Sequence, residues 1–123
     1  MDQIKVKIPA SPVYLRVVRL TAAGLASRLG FTIDEIEDLK IAVDELAAYL
    51  TGAQGRDGDI EITFSVHDDR IDIQGVGRLA PGQKARTQLT EISKMILSTV
   101  VDSATLTRPD GHPMFELTKA RKA

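Results

Sequence analysis

Gly30-Phe31-Thr32-Ile33-Asp34-Glu35-Ile36-Glu37-Asp38-Leu39-Lys40-Ile41-Ala42-Val43-Asp44-Glu45-Leu46 is the stretch on which the fold turns. Thr32 followed three residues later by Glu35 is a capping box. The hydroxyl accepts from an N–H of the first turn, and the carboxylate reaches back to the threonine N–H. Phe31 and Ile36 stand at the two positions of a hydrophobic staple. Asp34, Glu35 and Glu37 place negative charge at the positive end of the helix dipole. Ile36, Leu39, Val43, Leu46 and Leu50 then recur at three- and four-residue spacing, one apolar stripe facing a core. Asp44, Glu45 and Tyr49 lie off that stripe. A helix begun so firmly holds a carboxylate at the edge of a cleft, and it ends near Thr51-Gly52.

Upstream, Ile4, Val6 and Ile8 alternate with Lys5 and Lys7, a first strand buried on one face and closed by Pro9. Ser11-Pro12 is an N-cap followed by proline in the first turn, opening a helix that runs to about Leu29. Its core stripe is Leu15, Val18, Ala22, Leu25 and Leu29. Val13, Val17, Leu20 and Gly24 form a second apolar face open to a partner, and Gly30 is the C-terminal cap. Downstream, Gly55-Arg56-Asp57-Gly58 is loop. Ile60, Ile62, Phe64 and Val66 alternate with polar residues, Asp68-Asp69 turns, and Arg70 to Gly77 returns as the second strand of a hairpin. Leu79 to Lys84 is a short connection. A third helix is expected from about Arg86 to Val101 with Leu89, Ile92, Ile96 and Val100 as its stripe. Two last strands, roughly Ser103–Thr107 and Met114–Lys119, flank the turn Arg108-Pro109-Asp110-Gly111.

The order β-α-α-β-β-α-β-β predicts an α+β chain, residues 1–123 as a single domain. It should be a two-layer sandwich, a largely antiparallel five-stranded sheet with three helices on one face. With 16 basic and 17 acidic residues the net charge is −1, which argues against a nucleic-acid groove. The chain has no cysteine, which excludes disulfides, thiolate zinc sites and cysteine nucleophiles. No apolar run approaches the roughly 20 residues that span a bilayer. The start of the chain lacks the regions of a signal peptide, so a cytoplasmic location is expected. His67 and His112 show no paired ligand spacing, and no metal site is expected from them; both read as surface histidines.

The second helix, with Val17-Val18-Arg19-Leu20-Thr21 and Gly24-Leu25-Ala26-Ser27-Arg28 before it, closely resembles the RsbW/SpoIIAB family. Those proteins are bacterial anti-sigma factors and serine protein kinases with the Bergerat (GHKL) ATP-binding fold. The match is dense from about Val17 to Leu46 and looser, in the same order, through to Lys119. The resemblance implies the same two-layer fold, a homodimer, and two partners: a sigma factor and an anti-anti-sigma antagonist of the STAS type. Arg19 aligns with an arginine on the side of the family's helix that faces protein partners. Arg16 and Arg19 therefore have two readings, partner contacts or solubilising residues that flank the apolar stripe.

The same resemblance sets a test for the ATP site. The family's helix motif is Glu-x-x-x-Asn, whose glutamate is the proposed general base and whose asparagine ligates magnesium. Glu45 matches the glutamate and is the candidate catalytic residue; its plain alternative is a solvated helix face. Tyr49 stands at the asparagine position, where a phenol replaces the amide oxygen that magnesium favours. Asp44 is the neighbouring carboxylate that compensates if it can, although it sits about 100° around the helix from Glu45. Gln74-Gly75-Val76-Gly77 is the candidate for the adenine turn, Asp-x-Gly-x-Gly in the family, but in either register the aspartate is missing. The glycines otherwise read as a strand end or bulge. The connection before the third helix is several times shorter than the family's lid, and no glycine lies between Gly82 and Gly111 to cradle phosphate. Catalytic use of ATP is therefore expected to be lost, with ATP and magnesium as cofactors only if the groove is retained. The leading expectation is an anti-sigma regulator. The alternatives are an active serine kinase with Glu45 as base and an orphan GHKL-like domain that dimerises or binds another ligand.

Overall fold

The computed structural model describes residues 1–122. Five strands form one antiparallel sheet: β1 (Asp2–Pro9), β2 (Gly58–Val66), β3 (Arg70–Leu79), β4 (Ser103–Thr107) and β5 (Met114–Ala120). Their order across the sheet is β1-β2-β3-β5-β4. Three helices, α1 (Leu15–Arg28), α2 (Ile33–Thr51) and α3 (Glu91–Val100), cover one face. The two-layer α+β sandwich expected from the element order is thus the one adopted.

Strand periodicity explains the layering. Ile60, Ile62 and Phe64 of β2, Ile71 and Ile73 of β3, and Phe115 and Leu117 of β5 all point to the helix side, where they are buried. They meet Leu39, Val43, Leu46 and Leu50 of α2 and Val18, Ala22 and Ala26 of α1. Each fully buried aliphatic side chain contributes about 2 kcal/mol. α2 is the central helix, and its capping box is formed: the Thr32 hydroxyl accepts from Glu35 N at 3.1 Å and Glu35 Oε1 accepts from Thr32 N at 2.8 Å. At its other end Arg56 donates to the carbonyls of Tyr49 and Leu50 at 2.9 and 2.7 Å, closing orphan acceptors. Burial holds the pKa of Arg56 below its usual value.

Glu35 does a second job. Its Oε2 accepts from the backbone N–H of Lys122 at 2.9 Å, so the start of α2 grips the chain just beyond β5. The N–H donors of Thr32 and Lys122 hold this carboxyl below 4.5 in spite of its burial. A depressed folded pKa means that the charged form stabilises the fold. That contribution is complete above pH 4.5 and is lost as pH falls through the lower folded value. Glu35→Gln keeps a capping side chain but cannot ionise, so the melting-temperature gap between parent and variant should narrow as the pH is taken below 4.5. A gap that stays constant from pH 7 to pH 3 would refute this role.

Four expectations need correction. The first helix opens with a 3-10 turn, Pro12–Tyr14, before regular α geometry begins at Leu15. The third helix starts at Glu91 rather than Arg86, because Thr90 is its N-cap, accepting from Ser93 N at 3.0 Å. Its stripe is also rotated. Ser93, Leu97 and Val100 are buried while Ile92 is 71% exposed, since Ser93 is drawn onto α2 by polar contacts rather than by apolar periodicity. His67, finally, is half-buried and lies 3.0 Å from Asp72 Oδ2 rather than standing free on the surface.

Candidate functional site

Glu45, Ala48 and Tyr49 of α2 face Thr90 and Ser93 at the start of α3 across a shallow pocket of about 290 Å³, with Arg86 at its rim. α2 presents Glu45 and Tyr49 one turn apart on this face. The Ser93 hydroxyl donates to Glu45 Oε2 at 2.6 Å. Because that proton is committed to the carboxylate, the 2.6 Å contact between Tyr49 and Ser93 is a phenol donating to the serine oxygen. The phenol oxygen in turn accepts the Thr90 N–H at 3.0 Å. The Thr90 hydroxyl completes the set by donating to Ser93 Oγ at 3.0 Å. Protons therefore run one way, from the Thr90 backbone through Tyr49 and Ser93 to Glu45. Burial opposes ionisation of the phenol, but its hydrogen bonds with Ser93 and Thr90 more than offset it and hold its pKa below the usual value.

This wiring decides what the pocket can do. The first N–H groups of a helix are the usual cradle for a phosphate. Here the Thr90 hydroxyl takes the N–H of Ser93, and Tyr49 takes that of Thr90. The Glu45 carboxylate, which a general base must keep free to accept a proton, already has a short donor. A tyrosine at position 49 thus fills the gap between α2 and α3 and ties the two together.

The other candidates fall elsewhere. Asp44 does not line this pocket. Its Oδ2 accepts from Arg19 of α1 at 2.9 Å, so it cannot compensate for the missing amide at position 49. Arg19 is half of a part-buried ion pair with Asp44, while Arg16 is simply exposed. Gly75 and Gly77 are not in a turn. Both sit inside β3, paired with β2 on one side, and Gly75 is also paired with Phe115 of β5 on the other. A Cβ on Gly75 would come within 2.3 Å of the Phe115 ring, and one on Gly77 within 3.0 Å of Pro113. Their smallness serves packing, and neither lines the pocket beside Glu45. Residues 80–90, where the resemblance expects a mobile lid, are pinned instead. Ala80 N donates to the Asp57 carbonyl at 2.9 Å, Ala85 is buried, and the Arg108 guanidinium hooks the Ala85 carbonyl. Among the described residues no group of three or more His, Cys, Asp or Glu side chains gathers to hold a metal ion. Among the described residues no helix is long and apolar enough to cross a membrane. Ser93 and Thr90 are the site residues that sequence reasoning missed; a Thr followed directly by Glu91 is the N-cap signal that marks them.

No protein-family model matches the chain. The serine-protein kinase RsbW of Bacillus pumilus is 45% identical to it over 78 residues, covering 59% of this chain and 48% of that protein. RsbW of Bacillus subtilis is 45% identical over 75 residues, 58% and 47% of the two chains. The chain is similar to RsbW. It spans about half the length of these curated relatives. The fold agrees: the crystal structure of the RsbU and RsbW domains of Rv1364c from Mycobacterium tuberculosis matches 100% of this chain and 33% of that one, with a TM-score of 0.70 at 18% identity. The resemblance to RsbW read from the sequence therefore holds for sequence over 59% of the chain and for architecture over all of it.

Proposed function

We propose that this chain is an anti-sigma regulator that works by binding, holding a sigma factor until an anti-anti-sigma antagonist of the STAS type relieves it, without turning over ATP. One observation supports the reading: the Tyr49–Ser93–Glu45 chain, which engages one oxygen of the candidate base and the Thr90 N–H just ahead of α3. The α1–α2 framework that carries the likeness to RsbW is meanwhile fully formed. Val13 in the 3-10 turn before α1 is 76% exposed and Leu20 of α1 59%, with Val17 between them and the Arg19–Asp44 pair alongside, a face suited to a protein partner. Self-association as a homodimer belongs to the same reading, and sedimentation equilibrium measures it.

The test has two arms. The chain, its cognate sigma factor and the STAS antagonist are mixed with labelled magnesium ATP. A stable complex with the sigma factor and no label on the antagonist is the expected result. Label on the antagonist would mean an active serine kinase with Glu45 as base, and no complex at micromolar concentration would defeat the regulatory reading. A thermal-shift titration adds a magnitude. A nucleotide present at 100 times its dissociation constant adds about 2.7 kcal/mol of stability, and no such gain is expected here with ATP or ADP, with or without magnesium.

A further inference from the structure

The chain contains two Asp-Gly steps, Asp57-Gly58 and Asp110-Gly111, and no asparagine. An aspartate followed by glycine is open to a covalent rearrangement. The backbone nitrogen of the glycine attacks the side-chain carboxyl carbon, and with no Cβ on the glycine nothing shields its approach. The fold treats the two steps differently. Gly58 begins β2, is paired with Leu79 of β3, and its carbonyl accepts from Ala10 N at 3.0 Å. A Cβ there would strike the Arg78 carbonyl oxygen, and the Asp57 carbonyl accepts from Ala80 N at 2.9 Å. That peptide is held on both sides. Asp110 and Gly111 stand instead in the exposed turn between β4 and β5. Asp110 has φ 52° and ψ 31°, and among the described residues no other non-glycine residue has a positive φ. Aspartate tolerates this left-handed geometry rather than preferring it. Gly111, at φ 80°, has nothing within 4 Å of the place a Cβ would take, so water reaches the peptide.

We propose that Asp110 is a site of spontaneous isoaspartate formation, independent of the α1 face and of the pocket beside Glu45. The nitrogen of Gly111 bonds to Cγ of Asp110. Its proton and the carboxyl hydroxyl leave together as water, and a succinimide ring closes. Water then opens the ring at one of its two carbonyls. Breaking the new bond to Cγ restores aspartate, whereas breaking the original peptide bond leaves the backbone running through Cβ. One water is lost and one is gained, so the mass is unchanged and no oxidant or reductant takes part. The isoaspartyl product lengthens the main chain by one methylene inside the turn that the His112 N–H closes on the Pro109 carbonyl at 3.0 Å. Arg108, at the start of that turn, hooks the Ala85 carbonyl. Conversion at Asp110 therefore shifts the residue that pins the connection at 80–90, and that connection loosens.

The intact chain is aged at neutral pH over several weeks, native and in urea. Isoaspartate is counted with an isoaspartyl methyltransferase and labelled S-adenosylmethionine. Its position is read by digestion with Asp-N protease, which cuts before aspartate and not before isoaspartate. In urea both Asp-Gly steps should convert alike, because their local chemistry is the same. In the native chain Asp110 should convert while Asp57 stays at background. Asp110→Glu keeps the charge but would have to close a larger ring, so the signal should be lost; a circular dichroism melt verifies that this variant folds. Hydrogen exchange at residues 81–88 should be faster in the converted chain than in the fresh one, with β2 unchanged. The proposal fails if native Asp110 stays at background, if native Asp57 keeps pace with it, or if Asp110→Glu leaves the signal in place. Unchanged exchange at residues 81–88 after conversion would overturn the link to Arg108.

Discussion

Alanine at Gly75 should cost about 3 kcal/mol, the upper part of the range for overpacking a well-filled core. Gly75 and Phe115 face each other across β3 and β5, and the added Cβ would lie 2.3 Å from Cε2 and 2.6 Å from Cζ of the ring. The ring has nowhere to retreat, being fully buried among Ile71, Ile73 and the α2 stripe. Valine at the same position should be worse and prevent folding at ordinary temperatures, since a domain of this size holds only about 5–15 kcal/mol in total. Phe115→Ala alone should cost about 3–5 kcal/mol through its cavity. The double variant, Gly75→Ala with Phe115→Ala, should be less damaged than the sum, because the new methyl occupies part of the space the ring left. Urea denaturation of the four proteins gives the coupling. Strict additivity would show that the ring does not press on position 75. A glycine kept for approach to a nucleotide would behave otherwise: its alanine variant would keep its stability and lose only ligand.

The second large effect concerns Tyr49. Tyr49→Phe removes one oxygen and leaves two groups wanting, the Thr90 N–H and the Ser93 oxygen that accepted the phenol proton. The expected loss is about 1 kcal/mol, the low end of the cost of an orphaned donor, because this one is only part-buried. Ser93→Ala should cost less than that figure suggests, because Glu45 is half-exposed and water can replace the lost donor. The two variants together should fall short of additivity, since each breaks the same chain of hydrogen bonds. Native-state hydrogen exchange locates the damage: amides of α3 should open first, with the β2–β3 hairpin unaffected. Equal loosening throughout the chain would mean that Tyr49 merely fills space.

How much of this was legible in advance depends on how far apart the deciding residues lie. The capping box and stripe of α2 are local, every part within a few turns, and they read correctly. So did the hairpin, whose alternation from Ile60 to Val66 needs nothing outside itself. The start and rotation of α3 were misread because apolar spacing pointed to Ile92, while the true register is set by Thr90 at the cap and by Ser93 reaching Glu45, 48 residues earlier. The same distance hid the nature of the pocket. Position 49 showed that a magnesium ligand was missing, but only the fold shows that the phenol closes the gap. Gly75 was ambiguous for a related reason, as its partner Phe115 comes from a strand 40 residues on. Leu97 lies on the buried face that the wrong register overlooked.

β5 lies between β3 and β4, yet it is the last of the five strands to be synthesised. Its far end also carries Lys119, whose ammonium caps the Val100 carbonyl at 2.7 Å, and leads to Arg121, which donates to the Leu29 carbonyl at 2.6 Å. A nascent chain can therefore assemble the hairpin and the first two helices while still on the ribosome, but β4 has no neighbour until β5 clears the exit tunnel. Until β5 emerges, the β3 edge and the part of the hydrophobic layer that Phe115 and Leu117 complete stand open to chaperones and proteases.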